Sequence, residues 1–300
     1  METVEKRRKT AAEIVSNIFI VTIFVMLALF VLFTLILLFW GLSISLRTYE
    51  DIYESKIGLP KGWPWEWEWR NYSAAFSDIG VRIPKQHRKA QLGELFYNTI
   101  VYSVSGALFS AFVPCVAAYV CAKFDYKFSR FIYALVVFTM ALPIVGALPS
   151  QMQVMDTLRL HDTIHGVVIM QSGFAGMYFL VYYGVFKAYP QGYIEAAEID
   201  GASDLKIFLK IVLPMVKTTF FTIALLRFIG LWNDYQTVMI FMPTYPTAAL
   251  GMYQFNFLGQ NASLSSKISG SMLLILPIMV LFFVFHDKLM GNLTMGGMKE

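Results

Sequence analysis

The chain has 300 residues, of which 57% are hydrophobic and 15% charged, with a mean hydropathy of +0.58. That balance excludes an ordinary soluble globular protein and marks an integral membrane protein. The net charge of +4 is modest, and the bases are scattered through loops without forming a groove-sized patch, which argues against nucleic acid as a partner.

Residues 1–13 are polar and carry Lys6-Arg7-Arg8-Lys9, and no charge follows from Ile14 to Leu46. The apolar part, about residues 18–42, is longer than a signal-peptide core and lacks a small-residue cleavage site, so it is expected to stay as a signal anchor with a cytoplasmic N-terminus. Residues 43–94 form a long extracytoplasmic loop in which Trp63, Trp65, Trp67 and Trp69 alternate with Pro64, Glu66, Glu68 and Arg70. An extended strip would put these indoles on one side. They could stack on sugar rings, but a membrane-interface belt needs no ligand and is preferred.

Residues 95–122 are uncharged and are followed at once by Lys123, Lys127 and Arg130, so the second span should end inside. A third span is expected over 131–155, kinked at Pro143 and Pro149, then an outer turn from Asp156 to Asp162 and a fourth span over 163–186. The fifth and sixth follow at 214–241 and 268–287, leaving a cytoplasmic tail over 288–300. The expected fold is thus an all-α membrane protein of six transmembrane helices with both termini inside; residues 1–42 and 43–94 precede a five-helix core at 95–287. The eight Lys or Arg of the first loop run against the positive-inside rule, although long loops translocate with less regard to charge. Cys115 and Cys121 lie six apart in one apolar helix and face different ways, so they read as packing residues. His165 and His286 read as interfacial side chains with no metal-ligand spacing around them.

Residues 190–214 break the apolar pattern. Ile194, Ala197, Gly201, Leu205 and Phe208 recur every three or four residues, which places them on one face of a helical or helix-turn-helix element. Ala196, Ala197, Gly201 and Ala202 keep that face small. The acids Glu195, Glu198 and Asp200 come early and Lys206 and Lys210 late, as the helix macrodipole favours. Gly201 can end a first helix, Ser203 can cap a second, and Pro214 falls in the first turn of the next apolar helix. Such an element suits either docking on a soluble partner or lying on the lipid surface; interfacial helices, however, usually carry bases and large apolar side chains.

Glu195-Ala196-Ala197, Gly201, Ile211, Leu213 and Pro214 fit the form E-A-A-x3-G-x9-I-x-L-P. This run resembles the EAA loop of membrane subunits of ABC importers. Asn71-Tyr72, Asn98-Thr99, Ala117-Ala118-Tyr119, Leu142-Pro143, Trp232-Asn233-Asp234 and Gly291-Asn292-Leu293-Thr294 through Lys299 extend the similarity, over roughly residues 70–300, to carbohydrate-uptake permeases of the maltose type. The resemblance implies a type I ABC importer transmembrane fold with a cytoplasmic EAA coupling helix. It implies that Glu195, Ala196, Ala197, Asp200, Gly201, Ile211, Leu213 and Pro214 couple to an ATPase. The implied partners are a related second permease subunit, two ATPase subunits holding ATP and magnesium, and an extracytoplasmic sugar-binding protein.

Arg227 lies mid-span, with Gly230, Asp234 and Thr237 continuing one polar face, so these are candidates for the translocation path. A structural ion pair with another helix or subunit is the alternative for Arg227. The apolar stretch 242–266 carries Pro243, Tyr245, Pro246, Tyr253, Phe255 and Phe257 with Gly251 and Gly259. It could be a re-entrant plug. In maltose-type importers the corresponding outer loop reaches into the binding protein, and the resemblance therefore favours Tyr245, Tyr253, Phe255 and Phe257 as contacts. No phosphate loop, dinucleotide fingerprint or nucleophile motif occurs, so no enzymatic activity and no cofactor are expected in this chain. An ABC permease for another solute is the nearest alternative. An ion-coupled secondary transporter is less favoured, because no repeat relates residues 14–155 to 163–287.

Overall fold

The computed structural model describes residues 11–84, 86–124, 126–142, 146–190, 192–258 and 262–293. Expectations resting on Lys6 to Lys9, Pro143, Gly259, the side chain of His286, or Thr294 onward lie outside the described residues. The chain divides into two compact units, one reaching to Ala75 and including Ala262–Met272, the other running from Phe76 and resuming at Leu273.

In the first unit, helix α1 (Ala11–Ser45) leaves Val15 to Phe39 almost wholly exposed. Its 31-residue stretch Val15–Ser45 is apolar and long enough to cross a membrane. Burial begins at its end. Asn71 Nδ2 donates to the Ser45 and Arg47 carbonyls, both at 3.0 Å, and the Glu68 N–H donates to the Leu46 carbonyl at 3.0 Å. These bonds satisfy acceptors that a helix end leaves without partners. Helix α2 (Tyr49–Glu54) starts at Thr48, whose hydroxyl accepts from the Asp51 N–H at 3.2 Å. Lys61 then bridges Asp51 and Glu54 at 2.8 Å each, and its ammonium holds the Asp51 carboxyl below the ordinary carboxylate range.

The tryptophan stretch is folded into turns, which corrects the extended strip expected for it. The Glu66 carboxylate accepts from the Trp63 N–H at 2.9 Å, and the Trp67 and Trp69 indoles donate back to the Gly62 and Pro64 carbonyls at 3.3 and 2.7 Å. Local side-chain bonds of this kind compete with an extended backbone. The indoles consequently pair, Trp63 on Trp65 with centroids 5.3 Å apart and Trp67 on Trp69 at 6.4 Å.

Helix α3 (Arg70–Asp78) leads to a short hairpin of β1 (Gly80–Arg82) and β2 (Lys89–Gln91), in which Val81 faces Ala90. The fold is therefore not purely helical. Ile79, Val81, Ile83 and Ala90 are buried, and this alternation on a short apolar face holds the strands.

The second unit is assembled around α4 (Leu92–Lys123), the other helix long and apolar enough to span alone among the described residues. Ser103, Gly106, Ala107, Ser110, Ala111, Cys115, Ala118 and Ala122 form its buried stripe. Small residues let neighbouring helices approach closely where lipid gives little hydrophobic drive. A Cβ at Gly106 would sit 2.6 Å from Leu231 Cδ1. Cys115 and Cys121 are free and buried, as packing residues should be.

The third, fourth and fifth expected spans are broken helices, whereas the sixth falls on one continuous helix. The stretch 131–155 falls on α5 (Lys127–Ala141) and α6 (Ala147–Thr157), and 163–186 on α7 (Ile164–Gln171) and α8 (Met177–Ala188). Gly146, at φ +79°, opens α6 and places Pro149 in its first turn, where proline removes no helical bond. Helix α9 (Gly192–Ile199) and helix α10 (Asp204–Ile207) flank Gly201, and a π-helical turn, Phe208–Val212, joins α10 to α11 (Leu213–Met215). At Val216 the axis turns by 75° into α12 (Lys217–Trp232). Helices α13 (Gln236–Phe241), α14 (Ala248–Leu258) and α15 (Leu264–Leu293) complete the chain.

Candidate functional site: the polar hairpin and the polar face of the core

The island at 190–214 folds as a helical hairpin. Its first helix ends by the Schellman pattern, the Ala202 N–H donating to the Ala197 carbonyl and the Gly201 N–H to the Glu198 carbonyl, both at 3.0 Å. Gly201 supplies the left-handed residue at φ +76°, and Ser203 takes the extended N-cap conformation before Asp204. The single face expected through both limbs is corrected at Leu205, which is 68% exposed, while Ile207 and Phe208 are buried. The positive φ at Gly201 resets the helical register, so spacing counted across it loses its meaning.

Ile194 and Ala197 pack against the core of Tyr119, Tyr182 and Phe208. Glu195, Ala196, Asp200, Gly201 and Pro214 are exposed, and Ile211 and Leu213 are half-buried. Tyr193, Ile199 and Leu205 present apolar side chains to the outside, 62%, 86% and 68% exposed. Pro214 follows the π-helical turn inside a short segment and does not open the long helix. A cavity of about 180 Å³ lies under the hairpin, lined among others by Tyr119, Tyr193, Glu195 and Val216.

Lys123, at the end of α4, reaches both limbs, Glu198 at 2.8 Å and Asp204 at 2.7 Å, with only 11% of its side chain exposed. Its ammonium also lies 4.9 Å from the centre of the Phe124 ring. In sequence it stands out only as one base of a positive flank, because its partners are 75 and 81 residues away.

The polar face expected on the fifth span is distributed differently. Arg227 Nη2 donates to the backbone and side-chain oxygens of Gln171 at 3.3 and 3.2 Å, and its Nε is buried with no hydrogen-bond partner among the described residues. No ion pair involves Arg227 among the described residues. Asp234 accepts from the Tyr102 hydroxyl at 3.1 Å and from the Thr237 N–H at 2.9 Å, which ties it to the first turn of α13. Gly230 is exposed. Arg227 and Asp234 therefore belong to one polar neighbourhood through α4 and α7, by way of Tyr102 and Gln171. The sequence places these two on one polar face of a single span, with no sign of Tyr102 or Gln171 between them.

Residues 248–258 form helix α14 where a proline- and glycine-shaped loop was expected. Asn98 Nδ2 donates to the Pro246 carbonyl at 3.0 Å and the Ala248 N–H to Thr99 Oγ1 at 2.8 Å, fastening the helix start to α4. Phe255 is buried, at 8% exposed, which corrects its assignment as an outward contact. Tyr253 stacks on Tyr235 at 4.3 Å and touches Phe257, which is 73% exposed; Tyr245 is 41% exposed.

The profile of binding-protein-dependent transport system inner membrane components matches residues 114–293, more than half of the chain. The melibiose/raffinose/stachyose import permease protein MelC of Bacillus subtilis is 28% identical over 214 residues, 70% of this chain and 78% of the relative. The diacetylchitobiose uptake system permease protein NgcG of Streptomyces coelicolor is 25% identical over 282 residues, 90% of this chain and 86% of its own. A solved chain of a bacterial ABC transporter involved in the import of the acidic polysaccharide alginate superposes with a TM-score of 0.70 at 24% identity, covering 94% of this chain and 99% of that one. The type I importer fold expected from the motif is thus the fold observed.

Proposed function

Since the chain belongs to the family of binding-protein-dependent transport system inner membrane components, we propose that it is the permease subunit of an ATP-driven importer that passes a sugar, an oligosaccharide in particular, across the cytoplasmic membrane by alternating access. The observation that carries this reading is the hairpin 192–207. It is locked by a left-handed glycine and presents Tyr193, Ile199 and Leu205 beside the small residues Ala196 and Gly201. An apolar patch rimmed by Glu195, Asp200 and Lys206 is what a protein groove takes up. In this reading six spans place the hairpin and both termini in the cytoplasm. Glu195 orients the hairpin on an ATPase subunit, and ATP and magnesium stay on that partner.

A second, related permease completes the path, and an extracytoplasmic sugar-binding protein delivers the solute. Arg227, Gln171 and Asp234, all partly exposed, offer donors and acceptors of the kind that match sugar hydroxyls, with the buried Tyr102 hydroxyl holding Asp234. Tyr253, Phe257 and Tyr245 are available to the binding protein, since aromatics bring large contact area at low entropy cost. Support for a sugar comes from the named relatives, whose solutes are small oligosaccharides. The test is reconstitution with both ATPase subunits, the second permease and the binding protein, measuring ATP hydrolysis and uptake across an oligosaccharide panel. Stimulation by at least one loaded oligosaccharide is expected. Uptake driven by an ion gradient without ATP would overturn the proposal.

A further inference from the structure

The covalent route from the hairpin into the membrane is compliant. It passes through a π-helical turn, then a segment ending at Met215, and then bends by 75° at Val216, whose φ and ψ of −97° and 10° leave the helical region. Bends and π-turns of this sort absorb displacement. On the inner side a cavity of about 180 Å³ lies beside the contacts that Ile194 and Ala197 make with the core. A polar connection beside this cavity ties the hairpin to α4 directly. Lys123, the last residue of α4, holds Glu198 on the first limb and Asp204 on the second, on both sides of the Gly201 turn.

We infer that Lys123 is a positioning residue for coupling: its two ion pairs clasp the limbs of the hairpin to the end of the central helix, so that movement of the hairpin enters α4 directly. The chemistry suits this role. An ammonium carries several donors, enough for both carboxylates, and burial to 11% exposure limits solvent screening at its end. The neighbouring rings of Phe124 and Tyr119, 4.9 and 6.0 Å from the ammonium, hold the side chain beside the cavity. Because α4 also packs against α7, α8, α12 and α14, a pull at its end is shared by most of the unit.

This inference rests on the reading of the hairpin as an ATPase dock, and the experiment separates the two. The complete complex is reconstituted in lipid nanodiscs and proteoliposomes, with a photo-crosslinker at Ala196, in four forms: native, Lys123→Arg, Lys123→Met, and Lys123→Met with Glu198→Gln and Asp204→Asn. Crosslinking from Ala196 to the ATPase subunit reports docking. Solute carried per ATP reports coupling. Lys123→Met should retain the crosslink and basal hydrolysis while losing about fivefold in solute per ATP, at the low end of typical coupling effects. Lys123→Arg should restore most of it, and the triple variant should be no worse than Lys123→Met alone, because members of one network are not additive. A native solute-to-ATP ratio in Lys123→Met overturns the inference, also where yield or melting temperature falls, since the role is then purely structural. Absence of the Ala196 crosslink in the native complex overturns the docking reading itself.

Discussion

Gly201 carries the chain through φ +76° with nothing within 4 Å of the position a Cβ would take. Backbone conformation and bulk can therefore be separated at this residue. An L-residue with a Cβ costs about 1–2 kcal/mol in the left-handed region, and asparagine is the one best tolerated there. Gly201→Asn should keep most uptake, Gly201→Val should lower the melting temperature and uptake together, and Gly201→Trp should abolish stimulated hydrolysis while the subunit remains in the membrane. Native stimulation by Gly201→Trp would show that no groove closes over this turn. Gly201 and Ser203 were legible in the sequence because a helix stop and a helix start are local chemistry. Lys123 was not, since its carboxylates lie on another element and only folding brings them within 2.8 Å.

At the scale of elements, composition announced apolar segments reliably but not their breaks. Gly146, Gly173 and Gly176 interrupt runs that hydropathy reads as continuous, and the bend at Val216 carries no glycine or proline of its own. Helix α14 was hidden because its aromatic residues and flanking prolines read as a shaped loop, whereas Ala248, Ala249, Leu250 and Met252 are good helix formers once Thr99 and Asn98 satisfy its start. This helix divides its aromatics by function. Phe255→Ala removes a buried side chain and should cost about 3 kcal/mol or more, read as a lower melting temperature of the purified subunit. Tyr253→Ala with Phe257→Ala gives up the stack on Tyr235, worth about 0.5–1.5 kcal/mol, so it should lower melting less than Phe255→Ala does and weaken stimulation by the loaded binding protein. Similarly, Thr99→Val strands the buried Ala248 N–H and should cost about 1–3 kcal/mol. A double aromatic variant with native stimulation would remove this helix from the proposed interface.

For the whole molecule the question is which ends of the spans share a side of the membrane. The first loop carries more bases than the positive-inside rule expects of an outer segment, yet three of them are built into folded structure: Arg47 is buried, Lys61 is paired with Asp51 and Glu54, and Arg88 with Glu94 at 2.7 Å. Long translocated segments obey the rule weakly. Lys123 ends α4 and Lys127 and Arg130 lie in the first turn of α5, and that short, basic flank is the kind that sets orientation. The clasp of Lys123 on Glu198 and Asp204 then obliges the hairpin to lie on the same side as the end of α4. At roughly 1.5 Å per residue α4 is about 48 Å long, enough to cross the hydrocarbon core and both interfaces. Single cysteines test the arrangement at Ser203, which is exposed in the hairpin, and at Leu59, which is 83% exposed in the first loop. Ser129 makes a poor probe, because it is buried as the residue that closes the first turn of α5. In a cysteine-free background and intact cells, an impermeant thiol reagent should label Leu59→Cys and spare Ser203→Cys until the membrane is opened. Labelling of both from outside would separate the hairpin from any cytoplasmic ATPase and overturn the six-span arrangement with it.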